Sequence, residues 1–411
     1  MLVEDKELEA VLPPSAQAPS VDVLRDRVAA LGATLLGRAA QVEIDRRVSM
    51  ESIEALRAVG YFDLLKPRAF GGYEYDFSVL VDLNTDLAKW CASTAWVAGL
   101  LSAHQWLVAS FPAQAQHDVW DNNPNALVCG SYAPVCKAEA VDGGYLISGR
   151  WSFASGCDCA QWSLCAAILP ATAEREAPAP AFLLVPETDY KIEDTWHVIG
   201  LAGTGSKTLV LDKVFVPAHR ALLFSETTSG NTPGARLHGH HPGFSIPMLS
   251  AIPSCLASVA VGTAQGALQD YLERTSRRVT RGAVAGAANK MAEFPTIQLR
   301  VADAAASCDA ARQILLSDLR DREATANGAQ EITVEDRITS RRGQAFAVSL
   351  AIRATEALNA STGGQGLDVS HPVQRAWRDA NAVGRHISMN WDTVGTMYGQ
   401  MALGLEPKGQ Y

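Results

Sequence analysis

From Val21 onward apolar residues recur at three- and four-residue intervals, at Leu24, Val28, Leu31, Leu35 and Leu36, and again at Ile53, Leu56 and Val59 after a Ser49-Met50-Glu51-Ser52 start. That period keeps one helical face apolar and predicts helices in both places. Gly60-Tyr61-Phe62 stops the second set, residues 64–72 read as a loop, and residues 77–107 supply two apolar helices divided near Cys91-Ala92-Ser93-Thr94. Past Ala126 the pattern shortens. Residues 127–132, 137–141, 145–151, 162–169, 182–185 and 208–216 are strand-like runs parted by Gly, Pro and Asp, and they predict an antiparallel β unit. Residues 171–180 read as a surface loop, and the Gly-, Ser-, Thr- and His-rich segment that runs to Gly243 reads as a flexible lid. Four long helical patterns follow, over 246–276, 294–320, 334–359 and 372–390.

These runs divide the chain into a mobile arm (1–20, with three prolines), an N-terminal helical domain (21–126), a central β-barrel-like domain (127–228), a flexible lid loop (229–243) and a C-terminal helical bundle (244–411). The fold class is α+β, its last part resembling a four-helix bundle. A chain of 411 residues exceeds one ordinary core, which fits several subdomains. A net charge of −9 argues against nucleic acid or an anionic membrane as partner, since binding phosphates needs clustered Lys and Arg. No apolar run is long enough to suggest a membrane span, and the first residues lack a basic, then apolar, leader, so a cytoplasmic location is expected. Eight cysteines without a C-x-x-C pair support neither zinc nor a disulfide framework.

Candidate chemistry starts at Gly149-Arg150-Trp151-Ser152-Phe153-Ala154-Ser155-Gly156-Cys157-Asp158. The alternating run before it leaves an Asp142-Gly143-Gly144 turn, so a hairpin strand ends in a small-residue corner where a flat ligand can approach the backbone. Gly203-Thr204-Gly205-Ser206 offers backbone donors and two hydroxyls in a tight turn, suited to a phosphate or the edge of a flavin ring, and it lacks the strand-to-helix setting of a dinucleotide fingerprint. His238, His240 and His241 have no carboxylate or cysteine close in sequence, so no metal is expected.

Residues 150–157, then Gly200-Leu201-Ala202-Gly203-Thr204-Gly205-Ser206, Val214-Phe215-Val216-Pro217-Ala218-His219-Arg220 and Gln374-Arg375-Ala376-Trp377-Arg378-Asp379-Ala380-Asn381, together resemble the acyl-CoA dehydrogenase superfamily. More narrowly they are similar to its oxygenase branch, the two-component (group D) flavin-dependent monooxygenases typified by the oxygenase component of p-hydroxyphenylacetate hydroxylase. The resemblance implies an acyl-CoA dehydrogenase-like fold, reduced FMN or FAD delivered by a separate NAD(P)H:flavin reductase, O2 as co-substrate, and a homotetramer. It implies transfer of one oxygen atom from a C4a-hydroperoxyflavin to a small or polycyclic phenolic substrate. Oxygenation at nitrogen or sulfur on the same fold, or acyl-CoA dehydrogenation, are the alternatives. The last is disfavoured because no Glu stands in a Tyr-Glu-Gly-Thr-like context.

Carried onto this chain, the resemblance makes Trp151 a flavin wall and Ser155 the serine near flavin N5; a serine capping a turn would read the same way. His386, read as lying on the last helix, becomes an active-site histidine, either general base to a phenol or hydrogen-bond donor to the flavin side. His104 and Ser131 form a pair that holds the substrate hydroxyl, with Trp106, Tyr132 and Phe244 as apolar walls. Arg274, Arg277 and Arg278 include the flavin-phosphate arginine, with Arg274 and Arg278 preferred, and Gly363 and Gly364 belong to a cofactor-contacting loop. One departure stands out. A Tyr-Arg-x-Pro-like segment is replaced by Phe244-Ser245-Ile246-Pro247, so Arg236 of the lid becomes the candidate replacement for its arginine.

Overall fold

In the computed structural model, which describes residues 18–173, 175–279 and 290–411, the chain begins as a layer of helices whose starts are set by capping serines. Ser20 accepts from the Val23 N–H at the head of α1 (Val21–Ala30), and Ser49 does the same for Ser52 in α3 (Met50–Ala58), with α2 (Gly32–Asp45) between them. Each hydroxyl satisfies a backbone donor that the helix itself cannot. The apolar pair α4 (Phe77–Ala88) and α5 (Ala92–Val108) is nearly wholly buried, and α6 (Ala113–Trp120) completes the domain. Most of the expected arm, residues 1–17, lies outside the described residues.

The β unit is two four-stranded sheets. One has the order β1 (Val128–Ser131), β4 (Trp162–Leu169), β5 (Ala179–Pro186), β8 (Ala221–Leu223); the other has β2 (Glu139–Val141), β3 (Gly144–Ala154), β7 (Lys207–Pro217), β6 (Lys191–Glu193). The expected purely antiparallel unit needs correction at one place, since β1 runs parallel to β4. β6 and β8 are three residues each, too short to leave an alternation in the sequence.

The presumed lid is not a free loop. It folds into α7 (Phe224–Ser229) and α8 (Pro233–Leu237) and docks on the α5–α6 connection. Gly234 sits so close to that connection that a Cβ would stand 1.7 Å from the Ala109 oxygen, and its N–H donates to Ser110 at 2.9 Å. His238 is buried against Gln116 at 2.9 Å, and Trp106 donates to the Gly243 carbonyl at 3.0 Å.

The C-terminal half is built on α9 (Met248–Arg277), which packs against α4, α5, α10 (Pro295–Asn327), α11 (Val334–Asn359) and α12 (Pro372–Val383). By length and apolarity α9 could cross a membrane, but 89% of that window is buried inside the fold, as befits the central helix of a bundle. The fourth expected helix, 372–390, is broken. α12 ends at Val383, a turn carries His386, and α13 (Trp391–Ala402) follows.

Candidate functional site

β3 reaches its corner through an irregularity. Trp151 pairs with Leu209 while Ala154 pairs with Lys207, so one extra residue is accommodated at Ser152–Phe153. Such a bulge re-aims the residues after it. Phe153 takes a φ of +66°, a strained conformation for a bulky side chain, and its ring stands 69% exposed with its edge toward Trp196. Trp151 goes the other way. It is fully buried and its indole donates to the Ala166 carbonyl at 2.7 Å, so it packs the inside of the β unit and cannot wall a flavin. Phe153, two residues on, is the exposed aromatic at the corner; strict alternation would turn it inward with Trp151, and the bulge at Ser152–Phe153 turns it out.

Ser155 is buried and tied on two sides: the Trp96 indole N–H donates to its Oγ at 3.0 Å, and Ser206 Oγ lies 2.7 Å away. Ser206 contacts Thr204 Oγ1 at 2.7 Å, and Thr204 donates to the Leu201 carbonyl at 2.9 Å. The Gly203–Ser206 turn is therefore no open phosphate cradle. A Cβ at Gly203 would meet Val42 at 2.3 Å, and Gly205 supplies a φ of +54°. The glycines serve close packing and turn geometry, while the hydroxyls of Thr204 and Ser206 reach the corner. Asp379 of α12, buried and pushed up to about 6 by that burial, accepts the Leu201 N–H at 2.6 Å and fixes the loop.

His386 follows α12 and sits edge-on to Trp96, ring centroids 5.8 Å apart. Its Nδ1 accepts from the Ser388 N–H at 3.2 Å, so the neutral ring carries its proton on Nε2 and is a donor there. One edge reaches the surface, yet desolvation of the inner faces, and then the Arg341 charge, push its pKa down to about 4. Arg341, buried on α11, donates to the Ser388 carbonyl at 2.9 Å and holds this turn.

His104 lies two turns along α5 from Trp96 and is fully enclosed. Its Nδ1 is 2.6 Å from the Val128 carbonyl, which can only accept, so Nδ1 holds the proton and Nε2 is bare. Nε2 has no hydrogen-bond partner among the described residues, and neither has the Tyr132 hydroxyl, whose ring is 5.7 Å from His104. Burial pushes the His104 pKa down to about 4 and the Tyr132 phenol up. Ser131 donates to the Ser152 carbonyl at 2.7 Å, tying β1 to the bulge rather than offering its proton to a ligand. Arg236 is exposed and bonded to Asn231 of its own loop at 2.6 Å, and Phe244 is buried against His238 and His241. Among the described residues no hydrogen bond or ring contact joins either of them to His104.

A second region gathers the basic candidates. Tyr271, Arg274, Arg277 and Arg278 of α9 and its cap, Thr362 and Gln365 of the loop after α11, and His371 at the head of α12 line a cavity of about 580 Å³. Arg278 donates to the Thr362 carbonyl and reaches over Gly363, whose φ of +70° favours glycine, whereas Gly364 faces open space. Three guanidinium groups, a helix N-terminus and the unpartnered Tyr271 hydroxyl face one acidic residue, Asp368, so the cavity suits phosphate. An exposed ring and a serine at one site, and this anion cavity at the other, fit a flavin and its phosphates.

Residues 254–391 match the family model for the acyl-CoA dehydrogenase C-terminal domain. The chain is 62% identical, over 97% of its own length and 98% of the other, to the FADH2-dependent resorcinol hydroxylase oxygenase component of Rhizobium sp. (strain MTP-10005). Its fold matches the 3-HSA hydroxylase of Rhodococcus sp. RHA1 with a TM-score of 0.88 and 34% identity, over 95% of this chain and 100% of that one. XiaF from Streptomyces sp., solved with FADH2 and glycerol, superposes with a TM-score of 0.85 at 27% identity, over 95% and 97% of the two chains.

Proposed function

The chain belongs to the oxygenase components of the flavin-dependent monooxygenases, which use reduced flavin to place one atom of dioxygen on a phenolic substrate, and we propose that its own substrate is a small phenol of the resorcinol type. The observation that carries this is the bare, buried Nε2 of His104 beside the unpartnered hydroxyl of Tyr132. A buried acceptor and a buried hydroxyl without partners each cost on the order of 1–3 kcal/mol, which a ligand with polar groups at matching positions offsets. In this reading His104 Nε2 takes the proton of one phenol hydroxyl, raising electron density on the ring carbon that is oxygenated, and Tyr132 meets the second hydroxyl. The relative at 62% identity acts on resorcinol, a benzene with two hydroxyls, and lends support.

His386 is assigned the flavin side, where its Nε2–H donates; the Ser388 N–H on Nδ1 fixes that tautomer, whereas in His104 the bare Nε2 is the acceptor. Reduced flavin, when bound, supplies the two electrons that activate dioxygen. Phe153 would face its ring, Ser155 its edge, and the arginine cavity its phosphates, which favours FAD. An oxygenase component draws its reduced flavin from a separate reductase. A homotetramer is the proposed assembly, supported by exposed apolar residues on the C-terminal helices.

Mixing the purified chain with reduced FAD, resorcinol and labelled dioxygen should yield a trihydroxybenzene carrying one labelled oxygen. Product from sulfides or amines, with none from phenols, would replace this reading by oxygenation at sulfur or nitrogen.

A further inference from the structure

Ser155, Ser206 and Thr204 form a chain whose hydrogen bonds can run in one direction only. At its far end Thr204 Oγ1 lies 2.9 Å from the Leu201 carbonyl, which accepts and never donates, so the single Thr204 proton is committed there. Ser206, 2.7 Å from Thr204, must then donate to it, and Ser155, 2.7 Å from Ser206, must donate to Ser206. At the near end Trp96 Nε1, a donor without acceptor capacity, occupies one lone pair of Ser155. Ser155 is left with no proton to give and one lone pair. Reversing the chain would face two acceptors at Leu201, inside a site where Thr204 and Ser206 are both buried.

The two redox states of a flavin differ at this kind of contact. The oxidised ring presents a bare nitrogen, N5, that accepts; the reduced ring carries N–H there and donates. We propose that Ser206 and Thr204 are positioning residues that, by fixing Ser155 as an acceptor, make this site select reduced over oxidised flavin. The inference rests on the reading that the Ser155 corner meets the redox edge of the flavin. Asp379 belongs to the same device, because its bond to the Leu201 N–H holds the carbonyl on which the chain ends.

The test is anaerobic titration of the full chain with reduced and oxidised FAD, followed by flavin fluorescence or calorimetry, with no turnover required. In Ser206→Ala the Ser155 proton loses its acceptor and can turn toward the ring. Affinity for oxidised FAD should rise about tenfold, the size of one hydrogen bond, while that for reduced FAD changes little. Thr204→Val, which frees Ser206 to turn, should shift the ratio the same way by a smaller factor, and Trp96→Phe should weaken both redox states together. Thermal melting checks that each variant is folded. An unchanged ratio in folded Ser206→Ala and Thr204→Val overturns the inference. A wild-type chain that binds neither form overturns instead the assignment of the corner to flavin.

Discussion

A histidine enclosed by protein with one ring nitrogen unpartnered destabilises the fold that holds it, and His104 is in that position. Its folded pKa of about 4 lies below the ordinary value of about 6.5, so between those two values the unfolded chain binds more protons. The stability that depends on a neutral His104 is therefore intact above pH ~6.5 and is lost as pH falls toward ~4, on the order of 3 kcal/mol over the window. His104→Phe removes both the titration and the acceptor. Denaturant melts of this variant should show a shallower loss of stability below pH ~6.5 than wild type. Hydroxylation should fall by roughly 100-fold or more, the scale of a lost proton acceptor, while reduced FAD still binds. Equal losses in flavin binding and turnover would mean that His104 shapes the cofactor site instead. Because His104 is already neutral at ordinary pH, the turnover of wild type should show no limb near 6.5 that disappears in His104→Phe.

The docked segment 229–243 makes a claim about an element. Gly234→Ala forces a Cβ against the Ala109 oxygen, a clash with backbone that local movement must relieve, so the segment should lift from the α5–α6 connection. Limited proteolysis should leave this segment uncut in wild type and cut it in Gly234→Ala; rapid cleavage in wild type would restore the free lid. Why the sequence suggested a lid is clear from its composition, since Gly, Ser, Thr and His are loop formers when read alone. What holds the segment, Gln116 on His238 and Trp106 on Gly243, comes from residues more than a hundred positions away. The long helices were legible because their apolar period is repeated over several turns, and α11 falls where the spacing predicts it. The corner was legible as a place but not in its parts. A bulge moves the exposed aromatic from Trp151 to Phe153, and one inserted residue leaves no periodic trace. Trp96 carried no signal of its own, and Asp379 none beyond its place in the 374–381 motif, because their roles arise from what folds against them.

α12 joins the two halves of the site: its N-terminus lies at the arginine cavity, Asp379 near its end holds the Leu201 loop, and the turn beyond it carries His386. Large apolar residues stand exposed on that turn and the helix after it. Ile387 is 77% exposed, Leu403 at the end of α13 79%, and the tilted rings of Trp391 and Phe346 lie 5.3 Å apart with about two-fifths of each in solvent. Leu367 and Val369 do the same beside the arginine cavity. An isolated subunit would leave these residues in water next to both binding regions, and burial against further copies removes that cost while enclosing the flavin. In a homotetramer, light scattering should give four times the chain mass. Trp391→Glu, which sets a charge into the apolar surface without touching either cavity, should shift the mass toward smaller species. If the neighbouring copy closes the site, its affinity for reduced FAD should fall in the same concentration range as the assembly dissociates. Loss of assembly with undiminished affinity would show that one subunit holds its flavin unaided, and a wild-type chain that scatters as a monomer would remove the tetramer altogether.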